Sequence, residues 1–221
     1  MTLLTPRVLR TLHALNSAYP WDHNARYHRW ILRRLPQRPD RALDVGSGRG
    51  ELARLLARRS RTVIGLDADP AIVAAARALT PGSAPVSFVT GRAPDEVPPG
   101  PYDVITCVAT LHHLPFEASL TCFREHLAPG GTLVVVGVHR PSSPGDRLLD
   151  AVAIPLNPVI GLIRSRGRKA PAPVVPAPRT SPATMTCPEI LCAARRVLPG
   201  ARLRRRLFWR HTLVWRRPAE S

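Results

Sequence analysis

Three glycines at alternate positions could bring a ligand close to the backbone of this chain. Gly46, Gly48 and Gly50 follow the short apolar stretch Arg41–Val45 and lead directly into Glu51–Ala57, which has helical spacing. Glycine has no Cβ, so such a turn lets a ligand lie almost against the main chain. The helix after it offers unpaired N–H groups at its start. A strand, a glycine turn and a helix in this order predict a nucleotide-type site.

Two carboxylates and two histidines lie where they could serve the same site. Asp44 lies just before the glycine turn, and Asp67 ends the second apolar stretch, 21 residues after Gly46. A carboxylate at that place can accept hydrogen bonds from two converging hydroxyl groups; the alternative is an ordinary turn aspartate. His112 and His113 follow the fourth apolar stretch, where the pockets of open α/β sheets lie. They are candidate bases, or they only shape the turn before the next proline.

The elements that must hold these residues alternate between strand and helix. The predicted strands are Arg41–Val45, Thr62–Leu66, Val86–Val89, Tyr102–Val108 and Thr132–Val138. Such alternation predicts a parallel sheet with helices on both faces. Near the end of the chain, Thr186 and Glu189 form a capping box for one more helix. Two strand-like runs, 201–208 and 211–215, then predict an antiparallel hairpin. The expected fold class is α/β: a doubly wound, mostly parallel seven-stranded sheet with a C-terminal antiparallel hairpin.

The segments on either side of this core suggest a cover over the ligand edge. Residues 1–38 predict two helices, about 6–15 and 23–35, with Asp22 as a cap of the second. Within this lid, Tyr19, Asn24 and His28 are candidate substrate-binding residues, and the alternative for Asn24 and His28 is a surface pair one helical turn apart.

Residues 140–183 form an apolar cap segment followed by a loop rich in Pro, Ala and Arg. The stretch Leu148–Ile163 contains Pro155 and Pro158, which predict two short helices rather than a long one, with their leucines and valines buried on the ligand edge. The tract Arg164–Pro182 is expected to be a mobile loop or linker.

Composition limits the classes of function. The 221 residues carry a net charge of +17, but 31 of the 32 basic residues are arginines spread along the chain. This indicates a basic surface and makes nucleic acid an unfavoured partner, without excluding it. The four cysteines form no C-x-x-C pair and have no histidine at zinc-ligand spacing, so no metal site is expected. Apolar runs are far shorter than the ~20 residues of a membrane span, and no signal core is evident, which favours a cytoplasmic protein.

In these motifs the chain resembles the class I S-adenosylmethionine-dependent methyltransferases over roughly residues 40–217. The match rests on the order and spacing of several short motifs. They are Leu43-Asp44-Val45-Gly46-Ser47-Gly48-Arg49-Gly50, Leu66-Asp67, Tyr102-Asp103-Val104-Ile105, Leu111-His112-His113-Leu114 and Leu127-Ala128-Pro129-Gly130-Gly131-Thr132-Leu133. A dinucleotide dehydrogenase would favour G-x-G-x-x-G, with the third glycine one residue later. The antiparallel hairpin also suits the methyltransferase sheet.

The resemblance implies S-adenosyl-L-methionine as cofactor, bound by residues 39–139, and a sheet completed by residues 184–221. Gly46, Ser47 and Gly48 would meet the methionine moiety, with Asp44 near its ammonium group. Asp67 would bind the ribose, and the adenine would lie among Ala68, Arg92, Ala93 and Val108. The family often has an acidic residue at the position of Arg92, so backbone carbonyls, Asp95 or stacking by the arginine would have to replace it.

The acceptor is expected to be a small, partly hydrophobic molecule, such as a polyketide, a quinone or a lipid-like phenol. The chain has Ala109-Thr110-Leu111-His112-His113 where an N-P-P-Y-type motif would indicate methylation of nucleic-acid bases. If a base is needed, His113 is the first candidate and His112 the second. RNA or protein methylation, and a non-catalytic S-adenosylmethionine-binding protein of the same fold, stay open as alternatives.

Overall fold

The core of the fold is one seven-stranded sheet with the strand order β3-β2-β1-β4-β5-β7-β6. We describe residues 6–19, 21–166, 168 and 183–219 of a computed structural model. The strands are β1 Arg41–Val45, β2 Thr62–Asp67, β3 Val86–Thr90, β4 Tyr102–Val108, β5 Leu127–Val138, β6 Arg202–Arg206 and β7 Arg210–Arg216. The fold class is therefore as predicted.

The first five strands are parallel, and the strand order reverses between β1 and β4. Val45 pairs with Leu66 on one side and with Cys107 on the other. Both neighbours of β1 thus end at the same edge, and the gap between their carboxyl ends is where open α/β sheets bind ligands. The strands β7 and β6 then pair antiparallel, with β7 against β5.

Helices cover both faces of the sheet. They are α1 Pro6–Ala18, α2 Ala25–Leu32, α3 Glu51–Ala57, α4 Pro70–Ala78, α5 Phe116–His126, α6 Pro144–Arg164 and α7 Cys187–Val197, with a 3-10 turn at Leu111–His113. On one face, side chains such as Phe123 and Leu120 of α5 form a buried cluster with Trp215. On the other face, Ile31 of α2 and Leu56 of α3 pack with Val134. Both N-terminal helices form where the sequence predicts helices, and the Asp22 carboxylate accepts hydrogen bonds from the N–H groups of Asn24 and Ala25.

Two predicted boundaries change at the ends of strands. The strand β5 begins at Leu127, five residues before its predicted start at Thr132, so it includes Pro129-Gly130-Gly131. Its register against β4 is irregular in this part. The hairpin turn lies at residues 207–209 instead of 209–210, with positive φ angles at Phe208 (61°) and Trp209 (58°). Two successive left-handed residues match the twist of a two-stranded hairpin.

The prediction of two short helices after β5 is wrong, because α6 is one helix of 21 residues that contains Pro155 and Pro158. A capping box starts it, with the Ser143 hydroxyl accepting from the Asp146 N–H. Along its length the helix is fixed by Asn157, whose Oδ1 accepts from Trp21 Nε1 at 2.7 Å. These contacts compensate for the two N–H groups that the prolines remove.

The predicted burial of this segment is also wrong, because Leu148, Val152 and Val159 are exposed. The part of the expected mobile tract that covers residues 169–182 lies outside the described residues.

The capping box of α7 provides a test of how this last helix is held. The Thr186 hydroxyl accepts from the Glu189 N–H, and the Glu189 carboxylate accepts from the Thr186 N–H at 2.7 Å. Thr186→Ala should therefore lower the free energy of unfolding by about 1 kcal/mol, measured by urea denaturation. The exposed loop variant Ser83→Ala is the matched control and should change little. A Thr186→Ala midpoint equal to that of the parent would contradict the capping role.

Candidate functional site

The glycine turn after β1 is held from two sides. The N–H groups of Gly46 and Ser47 both donate to the Leu66 carbonyl, at 2.7 and 3.0 Å. Gly46 has φ +70°, and a Cβ there would lie 1.9 Å from the Thr110 hydroxyl, which comes from the loop after β4. Gly46 therefore cannot be replaced without moving Thr110, and the turn is clamped between the ends of β2 and β4.

Asp67 connects the end of β2 to the same turn. One of its carboxylate oxygens accepts from the Gly48 N–H at 2.8 Å, and the other accepts from the Asp69 N–H at 3.1 Å. Each oxygen can accept a second hydrogen bond. The carboxylate faces a cleft at the sheet edge and has unused acceptor capacity on both oxygens.

Asp44 is a buried carboxyl group beneath the glycine turn. Its side chain is 2% exposed, and its Oδ1 accepts a hydrogen bond from the Thr106 hydroxyl at 2.7 Å. Burial raises the pKa of this carboxyl group to about 7, against the lowering effect of Thr106 and with a further increase from Asp67. A cationic group placed nearby would favour the ionised form and would itself be stabilised.

These residues line one opening, which we call the edge cleft. It holds about 980 Å³ of empty space between the glycine turn, Asp67, Ala68, the loop after β3 and the 3-10 turn, and Asp44 and Ser47 line its extension toward α2. All nine predicted cofactor-binding residues line the cleft or this extension. They are Asp44, Gly46, Ser47, Gly48, Asp67, Ala68, Arg92, Ala93 and Val108.

Two polar residues considered for cofactor binding, Ser47 and Asp95, offer no side chain to the edge cleft. The Ser47 hydroxyl is buried against Gly65, which leaves the main chain of Ser47 as its surface toward the cleft. Asp95, considered as a partner for adenine, is absent from the lining of the edge cleft. Arg92 does line it, and its N–H donates to the Glu96 carboxylate at 2.8 Å.

Only two of the three predicted substrate-binding residues meet at the cleft. Asn24 and His28 line its extension, and the Asn24 Oδ1 accepts from Arg210 at 3.2 Å. Tyr19 instead lies against α6, with its carbonyl oxygen beside Gly161, and is not in the lining of the cleft. Thr110 and Leu114 were not predicted as binding residues, and they line the cleft because the loop after β4 turns back over it.

The two adjacent histidines point into different spaces. His113 lines the edge cleft, whereas His112 lines a second opening of about 490 Å³, which we call the side cavity. The two imidazole rings are 3.9 Å apart between centroids, and the lining of both spaces includes Leu114. Burial is the main reason that the pKa of His112 falls to about 4, so this imidazole is neutral at pH 7.

The side cavity contains a buried histidine that sequence reasoning missed. His211 of β7 is 3% exposed, and neither of its ring nitrogens has a hydrogen-bond partner among the described residues. Burial lowers its pKa to about 3. The other lining residues are mainly apolar and come from the 3-10 turn, the end of β5 and the segment before α7, including Leu111, Phe116, Val138, Met185 and Ile190.

Comparisons with known proteins agree with this arrangement. A family model described as "Methyltransferase domain" matches residues 43–135. An uncharacterized methyltransferase of Mycobacterium tuberculosis is 30% identical over 203 residues, which cover 90% of the chain and 98% of that relative. A trans-aconitate 2-methyltransferase of Streptomyces avermitilis is 37% identical over 141 residues, 60% of the chain and about half (52%) of the relative. The solved DhpI–SAH complex has the same fold, with a TM-score of 0.62 at 19% identity over 96% of each chain.

The chain therefore belongs to the class I S-adenosylmethionine-dependent methyltransferases. As a member of this class it is an enzyme whose methyl donor is S-adenosylmethionine. No helix within the described residues has the length and apolar character that crossing a membrane requires.

The buried Asp44 should make stability depend on pH in the protein without ligand. Its folded-state pKa of about 7 lies above the ordinary value of 3.8. The contribution of the protonated Asp44 to the free energy of unfolding is therefore fully present below pH 4 and is lost as the pH rises toward 7. The melting temperature of Asp44→Asn should therefore rise relative to the parent across this window and level off above it. The exposed variant Asp95→Asn is the control for surface charge. A difference that stays constant from pH 4 to pH 8 would show that Asp44 does not titrate there.

Proposed function

We propose that the edge cleft binds S-adenosylmethionine through its two carboxylates and its glycine turn. Gly46 and Gly48 leave room for the methionine part, Asp44 attracts its ammonium group, and Asp67 accepts hydrogen bonds from the two ribose hydroxyls. Ala68, Arg92, Ala93 and Val108 surround the adenine. The support for Asp67 is that both of its oxygens keep an acceptor position beyond the bonds to Gly48 and Asp69.

The acceptor in this proposal is a small, partly hydrophobic molecule. The observation that carries it is the side cavity, which adjoins the edge cleft at Leu114 and has a mainly apolar lining with three polar residues, His112, Thr184 and His211. A partial relative named for trans-aconitate supports a small acceptor, but not its hydrophobic character.

The transfer itself needs positioning, exclusion of water and a route for one proton. The sulfonium of the donor already activates the methyl group, so the protein must align the acceptor atom with it. When the acceptor is a hydroxyl or an amine, His113 is the proposed base because it lies in the edge cleft beside the donor. His112, with a pKa of about 4, is a weak base, and it would hold the acceptor by a hydrogen bond.

The imidazoles of the buried His211 and the half-buried His112 also suggest what the acceptor carries. Among the described residues, both ring nitrogens of His211 and Nδ1 of His112 are buried without a hydrogen-bond partner, and leaving such an atom unpaired costs about 1–3 kcal/mol. A hydroxyl or carbonyl group of the acceptor would pair with them. Residues 1–38 would act as a lid over this arrangement, since Asn24 and His28 line the cleft.

Removing the ribose acceptor should weaken binding of the demethylated product, S-adenosylhomocysteine. Asp67→Ala loses two charge-assisted hydrogen bonds to the ligand and the bond that holds Gly48, so its dissociation constant should rise by about 100-fold or more in calorimetry. Asp67→Asn keeps one acceptor oxygen, so its dissociation constant should lie between those of the parent and Asp67→Ala. Asp95→Ala, outside the cleft, is the control. Equal affinities for Asp67→Ala and the parent would exclude the ribose role.

Turnover should separate the base from the binding residues. With methyl-labelled S-adenosylmethionine, the enzyme should transfer the label to a small molecule in an organic-soluble extract and leave RNA unlabelled. His113→Ala should lower the rate by about 100-fold while the affinity for S-adenosylhomocysteine stays within about twofold. His126→Ala is the matched control, because His126 is the last residue of α5 and lines neither the edge cleft nor the side cavity. Label found only in RNA would refute the hydrophobic acceptor, and an unchanged rate in His113→Ala would refute the base.

A further inference from the structure

The outer face of α6 is an apolar stripe that no described residue covers. Five of the seven large apolar side chains that are exposed in the described part of the chain belong to this one helix. They are Leu148 (69% exposed), Val152 (46%), Val159 (49%), Leu162 (44%) and Ile163 (68%). Scattered exposed leucines are normal on a protein surface, but a concentration on one helix marks an interaction surface.

The stripe is continuous along the helix. Leu148, Val152, Pro155, Val159 and Leu162 are separated by alternate steps of four and three residues. That spacing keeps successive side chains on one face. The opposite face carries Asn157 and Gly161, which contact Trp21 and the Tyr19 carbonyl, so the helix is attached to the protein by its other side. The stripe covers residues 148–163, about 24 Å at 1.5 Å per residue, and is exposed among the described residues.

The charges around the stripe have one sign. Exposed arginines flank it at both ends, and the acidic residues of the helix, Asp146 and Asp150, are buried and half-buried. The arginines are Arg147 at the start and Arg166 and Arg168 just after the end of α6. Arg164 instead lies over the Trp21 ring, 5.2 Å from its centre, on the attached side of the helix. A partner for this face must accept apolar side chains and offer negative charge.

We propose that α6 docks the protein on the surface of an anionic lipid bilayer, with the helix lying in the plane of the interface. The apolar stripe would enter the boundary between headgroups and acyl chains, and the arginines would meet the negative headgroups. A second copy of the chain fits this face poorly. Two α6 helices packed antiparallel around a twofold axis would bring Arg147 of one against Arg166 and Arg168 of the other.

Vesicle flotation with the full chain tests the docking without an acceptor or catalysis. Vesicles of phosphatidylcholine alone are compared with vesicles that contain 30 mol% phosphatidylglycerol, at low and high salt. The protein should float with the anionic vesicles at low salt, and both neutral lipid and high salt should reduce this strongly. Leu148→Gln with Ile163→Gln, at the two most exposed positions, should lower partitioning by about tenfold or more. Arg147→Gln with Arg168→Gln should do the same.

Matched controls distinguish docking from general stickiness. Leu79→Gln removes an exposed leucine (49%) just after α4, and Arg58→Gln removes an exposed arginine just after α3; neither should change flotation. Thermal melts of each variant confirm that it is folded. Three results would each overturn the proposal: no flotation of the parent, equal loss in the controls, or self-association of the parent that the Leu148/Ile163 double variant abolishes.

Discussion

The clamp on the glycine turn is the constraint on which the rest of this site depends. Gly46 is held by the Leu66 carbonyl on one side and by the Thr110 side chain on the other, and the Gly48 N–H is held by Asp67. These contacts bring the ends of β1, β2 and β4 together at the point where the strand order reverses. Because three strands share the clamp, the ribose acceptor, the buried Asp44 and the loop with both histidines have fixed relative positions.

Burial gives the polar groups around this clamp their chemical character. It raises the pKa of Asp44 to about 7 and lowers that of His112 to about 4 and that of His211 to about 3. Burial therefore keeps His112 and His211 neutral at pH 7 and makes ionisation of the Asp44 carboxyl group costly. A donor that brings a positive charge to Asp44, and an acceptor that brings a hydrogen-bonding group to the imidazoles, would each relieve such a cost.

Local patterns made the sheet predictable, and contacts distant in sequence account for what was missed. The glycine spacing, the Asp22 cap and the capping box at Thr186 each act within a few residues, so they could be read directly. His211 lies 99 residues after His112, and only the pairing of β7 with β5 brings it to the side cavity.

The prediction of two short helices, made from Pro155 and Pro158, was wrong for a related reason. Proline disfavours a helix interior locally, but the capping box and the bond between Asn157 and Trp21, 136 residues apart, hold the helix in place. Its exposed apolar face could not be read from the sequence, because an apolar pattern does not show which side of a helix is covered. The leucines and valines that predicted a buried face lie on the exposed side of α6.

A crystal structure with S-adenosylhomocysteine would test the central claim most directly. The account predicts the ligand in the edge cleft, with both ribose hydroxyls on the Asp67 carboxylate and the amino group near Asp44. The sulfur should point toward His113 and the side cavity, where the acceptor is proposed to bind. A ligand whose ribose lies away from Asp67, or whose sulfur is closed off from His113 and the side cavity, would contradict it.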